Sequence, residues 1–233
     1  MLDFSQYEAL TFDCYGTIIN WEQGILEAIK PVLAAYQLGI DDSQILELFA
    51  QLEGENEAGE YQSYRSVLGQ VMQQFGEKLG FVPTSDQLNC LADSIQNWQP
   101  FPDSIDTLKR LKQQFKLVII SNIDDDLFAF TAKRLGVPFD FVITAFQAKS
   151  YKPSTHNFEF AFEKTGIPRD KILHVAQSIY HDIVPAKALG LSTVWVNRRH
   201  DQAGFGATLP ASSQPDLEIP NLETLAKLAE GTA

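Results

Sequence analysis

Cysteine is scarce in this chain of 233 residues. Only Cys14 and Cys90 occur, far apart and outside any Cys-x-x-Cys pattern. Two isolated cysteines supply neither a disulfide framework nor the ligand spacing of a structural zinc site. A chain of this length can bury a core of its own without such cross-links. We therefore expect a globular protein of a reducing compartment, the cytoplasm.

Basic residues and long apolar runs are also few. The chain has 18 Lys and Arg against 30 Asp and Glu, a net charge of -12, and no basic cluster interrupts this negative field. Such a field repels phosphate backbones and anionic lipid. The first residues include acidic side chains where a signal peptide needs basic ones, and no apolar run approaches the length of a membrane span. We expect no nucleic-acid partner, no membrane partner and no export.

Five short apolar segments, rich in β-branched residues and bounded by polar or turn residues, predict strands. They are Ala9–Phe12, Lys116–Ile120, Phe139–Thr144, Ile172–Val175 and Thr193–Val196. Helical patterns run from Trp21 towards Tyr36, from Asp182 to Leu189 and from Leu222 to Leu228. Strands that alternate with helices indicate an α/β fold with a parallel sheet.

The alternation stops between the first and second strands. This stretch has helical periodicity and few strand signals, and the polar segment Glu53–Gly59 is expected to interrupt its helices. The proline-bracketed segment Trp98–Asp103 is expected to return the chain to the main domain. We predict a main domain of residues 1–19 and 99–233, with a helical inserted domain of residues 20–98.

Polar side chains follow three of the predicted strands. Asp13 follows the first, Ser121 and Asn122 end the second, and Gln177, Ser178 and Asp182 follow the fourth, while Lys152 lies in a loop that leads into a helix. Read singly, Asp13 or Asp182 could be a helix cap and Lys152 a surface lysine. Because ligands bind at the carboxyl ends of parallel strands, we expect these side chains to converge in one crevice. A lysine beside Asp13 would keep that carboxylate ionised for nucleophilic attack.

The same segments resemble the four ordered motifs of the haloacid dehalogenase superfamily. The motifs are Phe12–Thr17, Ile120–Asn122, Tyr151–Pro153 and Ile172–Asp182, and the resemblance spans about residues 8 to 200. It implies a Rossmann-like core with an inserted α-helical cap. It also implies that Asp13 attacks the substrate to form a covalent aspartyl intermediate, which water hydrolyses.

Two substitutions separate this sequence from the phosphatases of the superfamily. Those enzymes carry an aspartate two residues after the nucleophile and a Gly-Asp pair in the fourth motif, whereas this chain has Tyr15 and the pair Ala176-Gln177. A neutral amide lacks the carboxylate charge that Mg²⁺ favours. We therefore predict no metal and no cofactor, and a magnesium-dependent phosphatase is the alternative. A further alternative is a non-catalytic binding protein on the same fold.

The Asp-x-Tyr-Gly-Thr pattern resembles the 2-haloacid dehalogenases, which displace a halide next to a carboxylate. Their early cap holds the halide with an arginine, here expected around residues 49–50, but Arg65 is the only arginine between Asp13 and Arg110. The His181-Asp182 pair resembles a subgroup that includes L-azetidine-2-carboxylate hydrolase, whose leaving group is a ring amine. Both leaving groups stay open, and the predicted substrate is a small 2-substituted carboxylic acid.

The predicted site follows from this resemblance. Asp13 would be the nucleophile, with Lys152 as its cationic partner, and Asp182 would orient the hydrolytic water or Lys152. Candidate substrate contacts are Tyr15, Thr17, Ser121, Asn122, Arg65, Gln177 and Ser178. Thr17 and Ser121 would bind carboxylate oxygens, and Asn122 would face the leaving group. Tyr15 could instead pack under the cap, and Arg65 could instead be an exposed arginine paired with one of the cap glutamates. A role for His181 is open, as is the oligomeric state, a homodimer included.

Overall fold

A computed structural model describes residues 2–231 of the chain. Within them, a parallel sheet has six strands in the order β3-β2-β1-β4-β5-β6. The strands are β1 Ala9–Phe12, β2 Lys116–Ser121, β3 Phe141–Thr144, β4 Ile172–Ala176, β5 Ser192–Val196 and β6 Leu217–Ile219. The predicted α/β fold is confirmed, with all five predicted strands present.

The register of the central strands aligns their carboxyl ends. Phe12 at the end of β1 pairs with Ile119 of β2 on one side and with Val175 of β4 on the other. The residues that follow these positions therefore leave the sheet at one edge. This alignment gathers the polar side chains that the sequence places after the strands.

Strand alternation divides the core into two layers. Leu117 and Ile119 join the larger apolar cluster on one face of the sheet, whereas Val118 and Ile120 join a smaller cluster on the other face. Because successive strand side chains point to opposite faces, one short segment supplies both layers. The larger cluster continues into the helices that follow β1, where it includes Phe75.

The helices are α1 Trp21–Ala35, α2 Asp42–Glu57, α3 Tyr64–Leu79, α4 Ser85–Ser94, α5 Ser104–Leu111, α6 Asp125–Leu135, α7 Ala145–Ala148, α8 His156–Thr165, α9 Val184–Ala188 and α10 Leu222–Glu230. The first four form the helical cap between β1 and the return of the chain. None of the helices within residues 2–231 combines the length and apolar character needed to cross a membrane. The division into domains 1–19 with 99–233 and 20–98 stays a proposal.

Three local predictions need correction. The predicted break between cap helices is present but begins later than expected, because α2 continues to Glu57 and α3 begins at Tyr64. The helix predicted from Asp182 is preceded by a π-helical turn, Ile179–Ile183, and its α-helical part begins at Val184. The short edge strand β6 was not predicted, because three residues within a polar segment carry too little periodicity to show a strand.

Candidate active site

Asp13 follows β1 and lies almost fully buried at the sheet edge, with 6% of its surface exposed. Its Oδ1 accepts a hydrogen bond from Lys152 Nζ at 3.0 Å, and its Oδ2 accepts one from Thr17 Oγ1 at 2.7 Å. Gly16 has a φ of +96°, which lets the chain turn sharply between the two residues. The helix-cap interpretation of Asp13 is wrong, because both carboxylate oxygens bind side chains of the site.

Lys152 is a buried cation, and all three hydrogens on its Nζ form hydrogen bonds. Its Nζ donates to Asp13 Oδ1, to Asp182 Oδ1 at 2.7 Å and to the carbonyl oxygen of Ile120 at 2.9 Å. Burial acts to lower the pKa of Lys152, but the two carboxylates outweigh it and hold that pKa above its usual value. Lys152 is therefore a fixed positive charge between Asp13 and Asp182, and the surface-lysine alternative is wrong.

Asp182 lies on the π-helical turn and binds two donors through one oxygen. Its Oδ1 accepts from Lys152 and lies 3.1 Å from His174 Nε2. Burial raises the pKa of Asp182, yet Lys152 and His174 bring it below its usual value. Its Oδ2 is buried and makes no hydrogen bond to any residue that the structure describes. The helix cap at this turn is Ser178, whose Oγ accepts from the backbone N–H of His181 at 2.9 Å.

His174 connects Asp182 to the interior of the sheet. The sequence favours a core role for this strand histidine, and it is fully buried. Its Nδ1 lies 2.9 Å from Thr11 Oγ1 on the neighbouring strand. His174 therefore fixes the orientation of Asp182 as well as filling the core. Only the register between β1 and β4, which no sequence signal gives, brings Thr11 and His174 together.

Ser121 and Asn122 meet the site in different ways. Ser121 lines the cavity above Asp13, and its buried Oγ has no hydrogen-bond partner within residues 2–231. Asn122 also lines the cavity, but it holds the main chain of Lys152 at two points: Oδ1 accepts from the N–H at 2.7 Å, and Nδ2 donates to the carbonyl at 2.9 Å. Asn122 thus positions Lys152.

The cavity above Asp13 is small, about 30 Å³, and cap residues line one side of it. Trp21, Glu53, Glu57 and Tyr64 line it from the cap side. Neither Glu53 nor Glu57 was predicted as part of the site. For Glu53 and Glu57, the available signal was the continuation of one buried helix face, with spacings of three and four, through Leu46, Phe49, Ala50, Glu53 and Glu57.

Two cap carboxyl groups face the site from α2. Glu53 is 3% exposed and accepts a hydrogen bond from the Tyr64 hydroxyl at 2.5 Å. Burial raises the pKa of Glu53 to about 8. The side chain of Glu57 is 5% exposed, and burial together with Glu53 raises its pKa well above the usual value. The cap therefore supplies carboxyl groups that favour the protonated form.

His181 and Ser178 complete the wall of the cavity. Burial lowers the pKa of His181 to about 4, so its imidazole is neutral at neutral pH. His181 Nδ1 lies 3.2 Å from Ser178 Oγ, and its Nε2 lies 3.9 Å from Glu57 Oε2. The predicted presence of Ser178 at the site is matched by its position, although its hydroxyl also serves as the helix cap.

Three predicted contacts use their polar groups elsewhere. Tyr15 lines the cavity above Asp13, but its hydroxyl lies 2.8 Å from Thr131 Oγ1 and its ring meets Trp98 edge-on, which agrees with packing under the cap. Thr17 holds Asp13 and does not line the cavity. Gln177 donates its backbone N–H to Thr17 Oγ1 at 2.8 Å, while its side chain lines other cavities beside Arg199. Thr17 and Gln177 as substrate contacts are therefore corrected to supporting positions.

Arg65 lies outside the site. Its Nη1 is 2.9 Å from Asp93 Oδ1 and its Nη2 is 3.8 Å from Asp126 Oδ2, with 41% of the side chain exposed. It does not line the cavity above Asp13. Arg65 forms surface ion pairs as the alternative expected, but its partners are aspartates and not cap glutamates, and the substrate-contact prediction is corrected.

The donor set does not fit a magnesium ion. Within residues 2–231, no group of three or more His, Cys, Asp and Glu side chains is arranged to hold a metal. Mg²⁺ requires near-octahedral oxygen ligands. Here Tyr15 is bonded to Thr131, and the Gln177 side chain lies outside the cavity. On the sheet side of the cavity, the residues that could hold a cation are therefore reduced to Asp13 and Asp182, which Lys152 already bridges, and the cap carboxyl groups favour the protonated form.

Comparison with known proteins gives three related results. A model of the haloacid dehalogenase-like hydrolase family matches residues 7–190. Haloacetate dehalogenase H-2 of Moraxella sp. (strain B) is 26% identical over 235 residues, 95% of this chain and 97% of that protein. (S)-2-haloacid dehalogenase 1 of Pseudomonas sp. (strain CBS-3) is 25% identical over 198 residues, 82% of this chain and 84% of that protein.

A solved structure shares the fold over nearly the whole length. It is the L-2-haloacid dehalogenase from Xanthobacter autotrophicus with chloropropionic acid covalently bound. The TM-score is 0.80 at 22% sequence identity, and the match covers 97% of this chain and 100% of that one. The Rossmann-like core and helical cap are thus common to both chains.

Proposed function

The chain belongs to the haloacid dehalogenase-like hydrolase family, and from that premise we propose that it hydrolyses a small 2-substituted carboxylic acid through a covalent ester on Asp13. The observation that carries this proposal is the buried contact of Lys152 with both Asp13 and Asp182. A carboxylate held by a fixed cation in a cavity is oriented for nucleophilic attack. The dehalogenases that resemble this chain support the substrate class.

In the first step, a carboxylate oxygen of Asp13 attacks carbon 2 of the substrate. The new C–O bond forms the ester as the bond between carbon 2 and the leaving group breaks, and the electron pair departs with the leaving group. Lys152 and Thr17 hold the two oxygens of Asp13, which limits the rotation of the nucleophile. The preset orientation lowers the entropic part of the barrier.

In the second step, water attacks the Cγ atom of the Asp13 ester. The free Oδ2 of Asp182 is buried at the cavity wall and is suited to orient that water. Lys152 stabilises the negative charge that develops on the ester oxygen. Cleavage releases the 2-hydroxy acid, a proton and the Asp13 carboxylate.

The substrate carboxylate needs donors that the site has not already used. Ser121 Oγ is buried at the cavity and unpartnered within the described chain, so its hydroxyl hydrogen is free for a substrate oxygen. A buried polar group without a partner costs free energy that a bound ligand can recover. The small cavity, about 30 Å³, favours a small acid.

A substrate panel tests the proposal. Purified enzyme is offered 2-chloropropionate, azetidine-2-carboxylate and phosphate monoesters, each with and without EDTA, and Asp13→Asn is compared with the surface variant Asp106→Asn. We expect hydrolysis of a 2-substituted acid, insensitive to EDTA, abolished in Asp13→Asn and retained in Asp106→Asn. Hydrolysis of phosphate esters alone, dependent on magnesium, would establish the phosphatase alternative instead. Turnover of none of the panel would favour a binding protein.

A further inference from the structure

We propose that Glu57 is the general acid that protonates the leaving group, so the substrate releases a basic group, an amine, rather than chloride or bromide. This inference rests on the proposed ester chemistry at Asp13 and specifies its substrate class. It follows from two features of the cavity: the absence of an uncommitted cation among the described residues that line it, and a buried carboxyl group with one free oxygen.

The cavity offers a departing halide no free positive charge. Within residues 2–231, its lining contains a single lysine, Lys152, and no arginine. All three hydrogens of Lys152 are taken by Asp13, Asp182 and the Ile120 carbonyl. A halide that departs towards the cap would instead meet the carboxyl groups of Glu53 and Glu57. An anion among buried side chains without a cation is poorly stabilised.

One oxygen of the Glu57 carboxyl group accepts a hydrogen bond, and the other is buried without a partner among the described residues. Its Oε2 accepts a hydrogen bond from Asn122 Nδ2 at 3.1 Å. Its Oε1 is buried and has no partner in the described part of the chain. Asn122 also forms two hydrogen bonds with the main chain of Lys152, which binds Asp13. Glu57 therefore keeps a fixed position relative to the nucleophile. A proton on Glu57 therefore belongs on Oε1, the oxygen that is free to donate it.

The surroundings of Glu57 favour its protonated form. Burial is the main cause of the raised pKa of Glu57, and the neighbouring Glu53 on the same helix adds to it. Lys152 from the loop before α8 acts in the opposite direction, as does the hydrogen bond from Asn122. Among the described residues, the titratable groups of other elements that share a cavity with Glu57 are Asp13, Tyr61, Tyr64, Lys149, Tyr151, Tyr180, His181 and Asp182. His181 is neutral at neutral pH, so it adds no positive charge.

The proton balance of the step is complete. With the substrate bound as the unprotonated amine, Asp13 forms the C–O bond, the C–N bond breaks, and the electron pair passes to nitrogen, which takes the proton from Glu57 Oε1. Glu57 is left as a carboxylate. Hydrolysis of the Asp13 ester by water then releases one proton, which restores Glu57. Chloride and bromide are weak bases that depart without a proton, whereas an amine nitrogen requires one.

The test compares two leaving groups in the same variants. Glu57→Gln is measured with azetidine-2-carboxylate and with 2-chloropropionate, and Glu55→Gln, an exposed carboxylate on the same helix, is the matched control. We expect Glu57→Gln to lower kcat for the ring amine by about 100-fold or more, the usual effect of losing a general acid. The loss with the chloro acid is expected to be at least tenfold smaller, and Glu55→Gln is expected to match the wild type.

The pH profile supplies a second readout. With the ring amine, kcat of the wild type is expected to fall as pH rises through the pKa of Glu57, and Glu57→Gln should lack this limb. Equal losses on both substrates would overturn the proposal and leave Glu57 as a positioning residue that acts through Asn122 and Lys152. Turnover of the chloro acid through an Asp13 ester, with no turnover of the ring amine, would overturn it while the proposed function stands. Failure to form any Asp13 ester would defeat the proposed function itself.

Discussion

Thr17 donates its hydroxyl hydrogen to Oδ2 of Asp13 at 2.7 Å, from four residues further along the chain. The same hydroxyl oxygen accepts the backbone N–H of Gln177, which follows β4, at 2.8 Å. One side chain therefore connects the loop after β1 to the end of β4 and fixes the oxygen of the nucleophile that Lys152 does not hold. A hydrogen bond to a carboxylate also favours its ionised form.

Thr17→Val is expected to lower kcat about tenfold, because it frees Oδ2 of Asp13 and leaves the N–H of Gln177 without its acceptor. Loss of one hydrogen bond to a charged group also costs about 1.5–3 kcal/mol of stability. Steady-state kinetics and chemical denaturation measure the two effects. Thr17→Ser keeps the hydroxyl and is the control, expected to stay close to the wild type. Equal kcat in Thr17→Val and the wild type would remove Thr17 from the positioning of Asp13.

Glu53→Gln is expected to change how stability depends on pH. The pKa of Glu53 is raised from 4.5 to about 8 in the folded protein, chiefly by burial. A raised carboxyl pKa contributes stability that is complete below the unfolded pKa and is lost as pH rises through the folded one. The free energy of unfolding of the wild type should therefore fall relative to Glu53→Gln between pH 4.5 and about 8, by at most about 1.4 kcal/mol per pH unit.

Urea denaturation at several pH values measures this difference, with Glu55→Gln as the exposed control on the same helix. In Glu53→Gln the amide oxygen would still accept the hydrogen bond from the Tyr64 hydroxyl, so the difference reports charge. A constant difference between wild type and Glu53→Gln across that pH range would contradict a buried, protonated Glu53.

Arg65→Ala is expected to leave KM within about twofold of the wild type. The guanidinium pairs with Asp93 and Asp126 on the surface, away from the cavity. An exposed ion pair contributes roughly 0–1 kcal/mol to stability. Kinetics of Arg65→Ala and Arg65→Lys check this outcome. A tenfold rise of KM in both would mean that the cap brings Arg65 to the substrate after all.

The sequence predicts the residues at the strand ends well, because the polar side chains there follow apolar strands whose ends a parallel sheet brings together. Asp13, Lys152 and Asp182 each follow or approach a short apolar strand, and a parallel sheet must bring such positions to one edge. The same logic does not fix side-chain direction. Thr17 and Gln177 lie in the right loops, yet Thr17 turns towards Asp13 and Gln177 turns away from the cavity.

The cap side of the site was missed because its carboxyl groups look like ordinary surface charge. Glu53 and Glu57 belong to a polar stretch that is typical of a loop, and burial of a carboxyl group is rare unless it is paired. Their burial depends on the closure of α2 and α3 over Asp13, which involves the Tyr64 hydroxyl and Asn122. Helical periodicity places Glu53 and Glu57 on one helix face, but it cannot show which residues of other elements contact them.

The central claim is that Asp13 forms the ester and that water attacks its Cγ atom. The most direct test is a single turnover in ¹⁸O water with enzyme in excess over a 2-substituted acid that is turned over, followed by mass spectrometry of the peptide that contains Asp13. We expect one ¹⁸O atom in the Asp13 carboxylate and none in the 2-hydroxy acid after the first turnover. Label in the product and none in Asp13 would show direct attack of water on the substrate and would contradict the account.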